Sequence, residues 1–579
     1  MFRKISVSCI IAFSLMSLLL QSQDLPNYMT AAEKKRMPDY LNSIKSKGLT
    51  TPPSSIVRTM AEWEEIDALT ITWTSYQPVL KEIVKYAQQE CKVFINCLDS
   101  NSVKSYLITN GVIPTNVEYI ITPYNSVWIR DYGAQCAYTS DVDSLLLIDW
   151  IYNRPRPLDD VIPEKLSQHT GLPFYQTTSA PYALVNTGGN FMVDGFGTAF
   201  SSNLILNENS GLTTPEVDSI MNLFMGITDF VHMTNLPYDG IHHIDMHMKL
   251  LDEETLLVGE YPQGVADGPQ IEANLQYILA NKYSVFGTPY KVVRIPMPPD
   301  NKNNKYPDQG GDYLTFTNGV FVNKTFLVPT YYQQYDTTAL RILQENLPGY
   351  NVVGINCSST IPASGAIHCI TNCVGSADPL LISHQKLEDL ACTKNNGYAE
   401  ARIQHRSGIS EAWVYFRIDT LLGWDSLSMV CVDTINHLWE SQFFPLYLFQ
   451  PTKFEYFIKA KANSGKEQVR PITAPDGYWS FMFYPGAIED TENDNLKFNS
   501  AYPNPSKGIT CIPVESTTNL NAEISMYDIY GRKISEIYKG KIPSGKSNYF
   551  VNTSDIASGT YILRFVSDDF NGSQKLIVR

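Results

Sequence analysis

Gly365-Ala-Ile-His368-Cys369-Ile-Thr371 sets a single cysteine directly after a histidine, in a run of small and β-branched residues that starts on glycine. Three earlier stretches share its character, a polar or acidic group flanked by Gly, Trp or Asn where strands are expected to end. They are Trp128-Ile-Arg-Asp131-Tyr-Gly133, Asn186-Thr-Gly188-Gly189-Asn190 and Gly240-Ile-His-His243-Ile-Asp245. Around them, from residue 24 to about 388, β-rich runs alternate with helical periodicity over 79–91, 215–224 and 337–347. That alternation predicts an α/β domain large enough to hold a deep pocket, and no internal repeat is visible in the residues themselves.

Outward from this region the chain changes twice. Strand-like runs over 399–404, 412–418, 454–462 and 478–484 predict an antiparallel sandwich. Phe454, Tyr456, Ile458 and Ala460 would face its core, with Glu455, Lys459 and Lys461 outward. An immunoglobulin-like module over 389–487, acting as support or spacer, is the economical reading. Residues 489–495 are acidic and poor in apolar side chains, as a linker is. At the other end, Arg3 and Lys4 precede an apolar stretch from Ile5 to Leu20, the pattern of a secretory leader over residues 1–23. The stretch is too short to span a membrane, so no transmembrane anchor is expected.

A chain of 579 residues must build more than one core. Its net charge of -15 argues against nucleic acid and favours cationic substrates. With Cys9 in the leader, nine of the 10 cysteines remain after its removal, so at least one thiol stays free. Cys91 with Cys97, or Cys392 with Cys431, are pairs that an oxidising compartment could bridge.

A reactive cysteine needs a base or an electropositive setting, and histidine is the usual partner. Cys369 and His243 are therefore the candidate pair. His243 and Asp245 stand two apart, which on a strand puts both on one face. Carboxylates beside a thiol would oppose an oxyanion, but they suit a planar guanidinium, which donates from a rigid fork and stacks on an aromatic such as Trp128.

Taken together, Trp128-Ile-Arg-Asp131, Gly188-Gly189-Asn190, His243-Ile-Asp245 and Ile367-His368-Cys369-Ile370-Thr371 resemble the guanidino-group-modifying enzymes, in the bacterial peptidylarginine deiminase and agmatine deiminase branch. The resemblance implies a five-bladed αβ propeller (pentein) with the site at its centre, and no cofactor or metal. It implies Cys369 as nucleophile, Asp131 and Asp245 holding the guanidinium nitrogens, and His243 as proton carrier. Asn318, in Tyr313-Leu-Thr-Phe-Thr-Asn318, falls where the family has a further polar member. Past the linker, Tyr502-Pro-Asn-Pro-Ser-Lys-Gly508, Met526-Tyr-Asp-Ile-Tyr-Gly531-Arg532, Gly559-Thr-Tyr-Ile-Leu563 and Lys575-Leu-Ile-Val-Arg579 resemble the C-terminal sorting domain of the type IX secretion system. With the linker it would occupy 488–579. This implies that secretion machinery as a partner and a place outside the cell or on its outer surface.

Two features bear on the substrate. Thr187 precedes the glycine pair where agmatine deiminases carry an acid, and Ile151-Tyr-Asn-Arg154-Pro-Arg156 matches the peptidyl branch, whose arginines lie at the substrate carboxylate. Arg154 and Arg156, stiffened by prolines, would clamp the carboxylate of a C-terminal arginine. Gly240 departs from the peptidyl branch, which has a tyrosine there, so a small guanidine such as agmatine or free arginine remains the alternative. Without the family, the two arginines would read as surface residues paired with Asp159 and Asp160. Two other classes stay open: a metallohydrolase using His243, Asp245, His247, His242 and His368, and an inactive surface-binding protein on an enzyme scaffold.

Overall fold

The computed structural model describes residues 25–391, 397–418, 420–421, 423–441, 451–484, 496–528, 532–567 and 570–579. The expected leader, the linker over 489–495 and Cys392 lie outside these residues.

Between residues 57 and 375 the strands form five separate sheets on one plan. A strand pairs antiparallel with the next, a helix follows, and a third strand returns parallel to the second. Met248–Asp252, Thr255–Glu260, the helix Gly268–Asn281 and Lys291–Pro296 make one such unit. Val320–Val322, Thr325–Thr330, the helix Gln333–Asn346 and Asn351–Asn356 make the next. The parallel return needs a crossover of helical length, and the helix covers the sheet with its apolar stripe. In Gln77–Ala87 that stripe is Val79, Leu80, Ile83, Val84 and Ala87, all buried. A repeat is thus present that residue identities hide, because only the pattern of burial recurs.

The two ends of this region meet in one sheet. Asn372–Gly375, just after the cysteine, pairs antiparallel with Ile66–Thr72, which is itself followed by the helix Gln77–Ala87 and the parallel strand Lys92–Cys97. One buried apolar cluster runs through the region from Met60 to Val374, and a smaller one gathers around Trp150, Phe191 and Phe224. The helices expected from periodicity form as Gln77–Ala87, Thr214–Met225 and Gln333–Asn346.

From Leu381–Ser383 onward the described chain is β-rich. A nine-stranded sheet includes Glu400–Gln404, Ile409–Arg417, Thr452–Ala462 and Trp479–Tyr484. Phe454, Tyr456, Ile458 and Ala460 are buried as expected, but so is Glu455. Arg417 and Lys453 cover that carboxylate, at 2.8 and 3.1 Å. This region docks on the first through Arg470 and Glu253 at 2.8 Å, Lys466 and Glu65 at 2.8 Å, and Lys386 and Asp252 at 2.5 Å. Residues 496–579 form two further sheets around their own core of Ile512, Ile524, Leu563 and Phe565.

Cys91 and Cys97 are free, buried thiols. They stand at opposite ends of the strand Lys92–Cys97, and an extended strand of that length separates its ends by roughly 20 Å, far beyond disulfide reach. Cys431 is also free.

Candidate active site

Each of the four quoted stretches folds as one helical turn rather than a strand end. The turns are Ile129–Tyr132, Gly188–Asn190, Ile244–Met246 and His368–Ile370. Each leads into a strand of a different sheet, Gln135–Thr139, Met192–Val193, Met248–Asp252 and Asn372–Gly375 respectively. Asn318 holds the same place before Val320–Val322. Strand alternation is therefore not what unites His243 and Asp245. His243 caps its turn in extended backbone, with φ -89° and ψ 133°, and Asp245 lies within the turn.

The five expected catalytic side chains come together. Asn318 Nδ2 donates to Cys369 Sγ at 3.2 Å, and Cys369 Sγ lies 3.7 Å from Asp245 Oδ2. Asn318 Oδ1 accepts from the backbone N–H groups of His368 and Cys369, at 3.1 and 3.4 Å, so the amide fixes the turn as well as the thiol. Asp131 Oδ1 accepts from Thr187 Oγ1 at 2.9 Å and from the Gly189 N–H at 3.2 Å, and stands 3.5 Å from His243 Nδ1. Gly189 is required by close approach: a Cβ there would meet His243 Nδ1 at 2.4 Å. Gly365 is likewise pressed on Trp128, whose ring a Cβ would meet at 2.3 Å.

All of these groups are buried, yet one oxygen of each carboxylate, Asp131 Oδ2 and Asp245 Oδ1, and His243 Nε2 make no hydrogen bond. Buried acceptors without donors are costly, and two of them on carboxylates whose charges both act on one thiol call for a multivalent donor. Burial, aided by the charges of Asp245 and Asp131, pushes the Cys369 thiol well above its usual range. Burial also lowers His243, with Asp131 and Asp245 opposing that and Arg154 adding to it, so the resting imidazole is neutral at pH 7. Burial works to raise Asp245, but the His368 hydrogen bond and charge outweigh it and hold the carboxyl below its ordinary value.

Behind these groups lies a network that the sequence did not reveal. His368 Nδ1 meets Asp245 Oδ2 at 2.7 Å and His368 Nε2 meets Glu62 Oε1 at 2.6 Å. Lys249 Nζ reaches Glu62 Oε2 at 2.5 Å, and Arg130 Nη1 stands 3.7 Å from Oε1. His368 thus orients Asp245 from a charged base. Its place beside the cysteine was a visible cue, whereas nothing in Met60-Ala-Glu62-Trp63 marks Glu62.

The three side chains expected at the substrate end are buried as well, and each is bonded to the chain's own N-terminal part. Trp128 Nε1 donates to the Leu25 carbonyl at 2.7 Å, and Arg154 Nε to that of Asn27 at 2.9 Å. Arg156 Nε donates to Glu33 Oε1 at 2.8 Å and Nη2 to the Pro26 carbonyl at 2.7 Å. Asp159 accepts instead from the Asn125 N–H, the Ser126 N–H and Ser126 Oγ, at 2.7, 3.0 and 2.6 Å, which ties the Arg154–Arg156 loop to the Trp128 turn. The surface-pair reading of the arginines does not hold. Among the described residues no group of three or more His, Cys, Asp or Glu is gathered so as to hold a metal ion.

Comparison with known proteins adds the following. The family model described as Porphyromonas-type peptidyl-arginine deiminase matches residues 58–374, and that of the secretion system C-terminal sorting domain matches residues 500–579. A protein from a Marinomonas species, provisionally named an agmatine deiminase, is 21% identical over 361 residues, 56% of this chain and 95% of its own. A similarly named protein from Legionella pneumophila subsp. pneumophila is 26% identical over 312 residues, 51% of this chain and 84% of its own. An X-ray structure provisionally titled agmatine deiminase has a TM-score of 0.50 at 20% identity, covering 58% of this chain and all of that one (100%), and so shares the fold. One titled in the same way as an arginine deiminase, from Porphyromonas gingivalis, has a TM-score of 0.49 at 20% identity, covering 55% of this chain and 99% of that one.

Proposed function

Because the chain belongs through residues 58–374 to the Porphyromonas-type peptidyl-arginine deiminase family, we propose that it hydrolyses the guanidinium of a C-terminal, peptide-borne arginine to citrulline and ammonia. Enzymes of this kind are hydrolases of guanidino C–N bonds. The C-terminal sorting domain marks the protein for a secretion machinery and for the cell exterior or surface. No described helix is long and apolar enough to cross a membrane.

The observation that carries the reading is the pair of unsatisfied buried oxygens, Asp131 Oδ2 and Asp245 Oδ1, on the two carboxylates whose charges act on Cys369. A guanidinium supplies donors to both at once and neutralises the two charges that keep the thiol protonated. Its arrival lets Cys369 lose its proton to the neutral His243. The sulfur attacks the guanidinium carbon, and His243 returns the proton to the departing ammonia, leaving a thiouronium on Cys369. His243 then takes a proton from water, the hydroxyl adds to the same carbon, and the C–S bond breaks to give the urea. Proton handling of this kind contributes ~10² to 10⁴ in rate, with positioning and charge supplying the rest.

Buried Arg154 and Arg156 support a carboxylate-bearing substrate over an amine-ended one, and Arg154 is near enough to His243 to disfavour its protonation. In the same reading the five sheets over 57–375 are the blades of a propeller around the four turns and Asn318, residues 389–487 are an immunoglobulin-like module, and the catalytic unit covers 24–388. Ammonia release from an arginine-ended peptide, free arginine and agmatine tests the reaction against Cys369→Ala. Equal release by both proteins would end the enzyme hypothesis.

A further inference from the structure

Arg154 Nη1 donates to the neighbouring Asn153 carbonyl at 3.0 Å, but Trp128 Nε1, Arg154 Nε and both bonded nitrogens of Arg156 donate to acceptors from residues 25–33. Those acceptors are peptide carbonyls and one carboxylate, the groups that the end of a peptide substrate would itself offer. Glu33 grips Arg156 through both oxygens, Oε1 at 2.8 Å from Nε and Oε2 at 3.4 Å from Nη2, in the fork a terminal carboxylate would use. Both side chains are wholly buried, with relative exposures of 0% and 1%. The segment also reaches the loop that leads to Cys369. The Asn27 N–H donates to the Ala363 carbonyl at 2.8 Å, close before Gly365, and the Asn27 side chain is buried with neither its oxygen nor its nitrogen partnered.

Apart from the ion pair, the segment is held by the hydrogen bonds of Leu25, Pro26 and Asn27 just described and by little apolar burial. The helix Ala31–Ser43 that follows buries only Glu33 and Tyr40, and Pro38 interrupts its hydrogen bonding. Lys34, Lys35, Arg36 and Lys45 stand exposed on it and just beyond. An element with so few buried contacts lies at the low end of local stability and is open to proteolysis.

We infer, on the basis of the deiminase reading above, that residues 25–43 are a tethered substitute for the substrate's carboxylate end, with Glu33 deciding whether Arg156 is open to a C-terminal arginine. A tethered occupant competes at an effective concentration of the order of millimolar, an advantage that cutting the tether abolishes. Exchange of one carboxylate for another never leaves Arg156 buried without a counter-charge, so displacement avoids the cost of a lone buried ion. With the segment in place the enzyme discriminates against arginine-ended peptides; once it is cleaved in the exposed basic stretch, the clamp serves them.

The test compares three proteins: the chain without its leader, the same chain carrying Glu33→Gln, and the chain trimmed by limited trypsin digestion in the segment. Each is assayed for ammonia with a peptide ending in arginine and with the same peptide amidated. Glu33→Gln and trimming should raise kcat/KM for the free-carboxylate peptide by about tenfold or more, chiefly through KM, and change the amidated peptide far less, as loss of a tethered competitor requires. Unchanged values, an equal rise for both peptides, or a fall on trimming would overturn the inference while leaving the deiminase reading intact. Absence of ammonia from every protein with peptides, arginine and agmatine alike would instead sink the deiminase reading, and the inference with it. If trimming unfolds the protein, as a lost cooperative melt would show, Glu33→Gln in the otherwise intact chain decides the matter alone.

Discussion

Asn318 donates its amide to Cys369 Sγ at 3.2 Å while its own oxygen accepts from the backbone N–H of Cys369 at 3.4 Å, so one side chain sets both the sulfur and the turn that carries it. Asn318→Ala removes a donor to Cys369 Sγ and orphans the buried Cys369 N–H, while the His368 N–H keeps the backbone carbonyl of residue 318. Turnover should fall by ~10² to 10³, as for loss of one preorganised donor, with KM changed far less. A steady-state comparison with Asn318→Asp checks this, and an unaltered kcat in the alanine variant would contradict it.

The thiol of the free enzyme should titrate abnormally high. Burial, Asp245 and Asp131 all favour the protonated form, so alkylation of Cys369 by iodoacetamide should still be rising with pH above the ordinary thiol range. Asp245→Asn removes one opposing charge and should speed alkylation at a fixed pH while lowering turnover. Slower alkylation in that variant would show that Asp245 acts on the sulfur by some other route.

Gly189→Ala should cost most of the activity. The added Cβ would fall 2.4 Å from His243 Nδ1 and 2.9 Å from Asp131 Oδ1, displacing the imidazole from the carboxylate. A misplacement of about 1 Å costs on the order of 10²-fold. Gly211→Ala, where nothing lies within 4 Å of the new atom, is the matched control and should retain full turnover.

The β-rich region should lend stability to the catalytic one through Arg470. Its partner Glu253 is nearly fully buried, and burial raises that carboxyl even with the arginine 2.8 Å away. Arg470→Ala leaves the acid alone, a change that costs about 3–5 kcal/mol for a buried pair. Thermal unfolding should show a lower melting point, with a smaller loss in Arg470→Ala combined with Glu253→Gln. Equal losses in the single and double variants would argue against the ion pair as the cause.

Acid sensitivity has an identifiable contributor in His384. Burial lowers it to about 4, and its ring bridges the Glu400 carbonyl and Tyr456 Oη as a neutral tautomer, at 2.5 and 2.9 Å. The unfolded chain binds the proton near pH 6.5, so the unfolded state is the more protonated between about 6.5 and 4. Stability therefore falls as pH drops through that window, by up to about 1.4 kcal/mol per pH unit from this group. The difference in melting point between wild type and His384→Gln should shrink as pH falls from 7 to 4.5; a constant difference would exclude the histidine.

Much of the site could be read from residue types because each piece has a local reason. Gly189 and Gly365 mark where backbone must approach His243 and Trp128, and Cys369 beside acids makes sense only for a cationic substrate. The secondary structure of the motifs was misread as strand ends because turns as short as Ile244–Met246 carry no periodicity. Glu62, Lys249 and Glu33 were illegible for another reason: a charged residue reads as surface until its buried partner, far away in the chain, is known. The same holds for Arg156, expected to receive a substrate carboxylate, which in the structure is bonded to the chain's own Glu33.

The pairing of Asn372–Gly375 with Ile66–Thr72 carries a consequence for how the protein is born. The strand that follows Cys369 completes its sheet only when the ribosome has made nearly the whole of the first region and Ile66–Thr72 is free to receive it. On the deiminase reading, half-made or shortened products lack Cys369 in its docked place and are chemically inert, so a cell that holds this chain unfolded for export carries no danger from it until release.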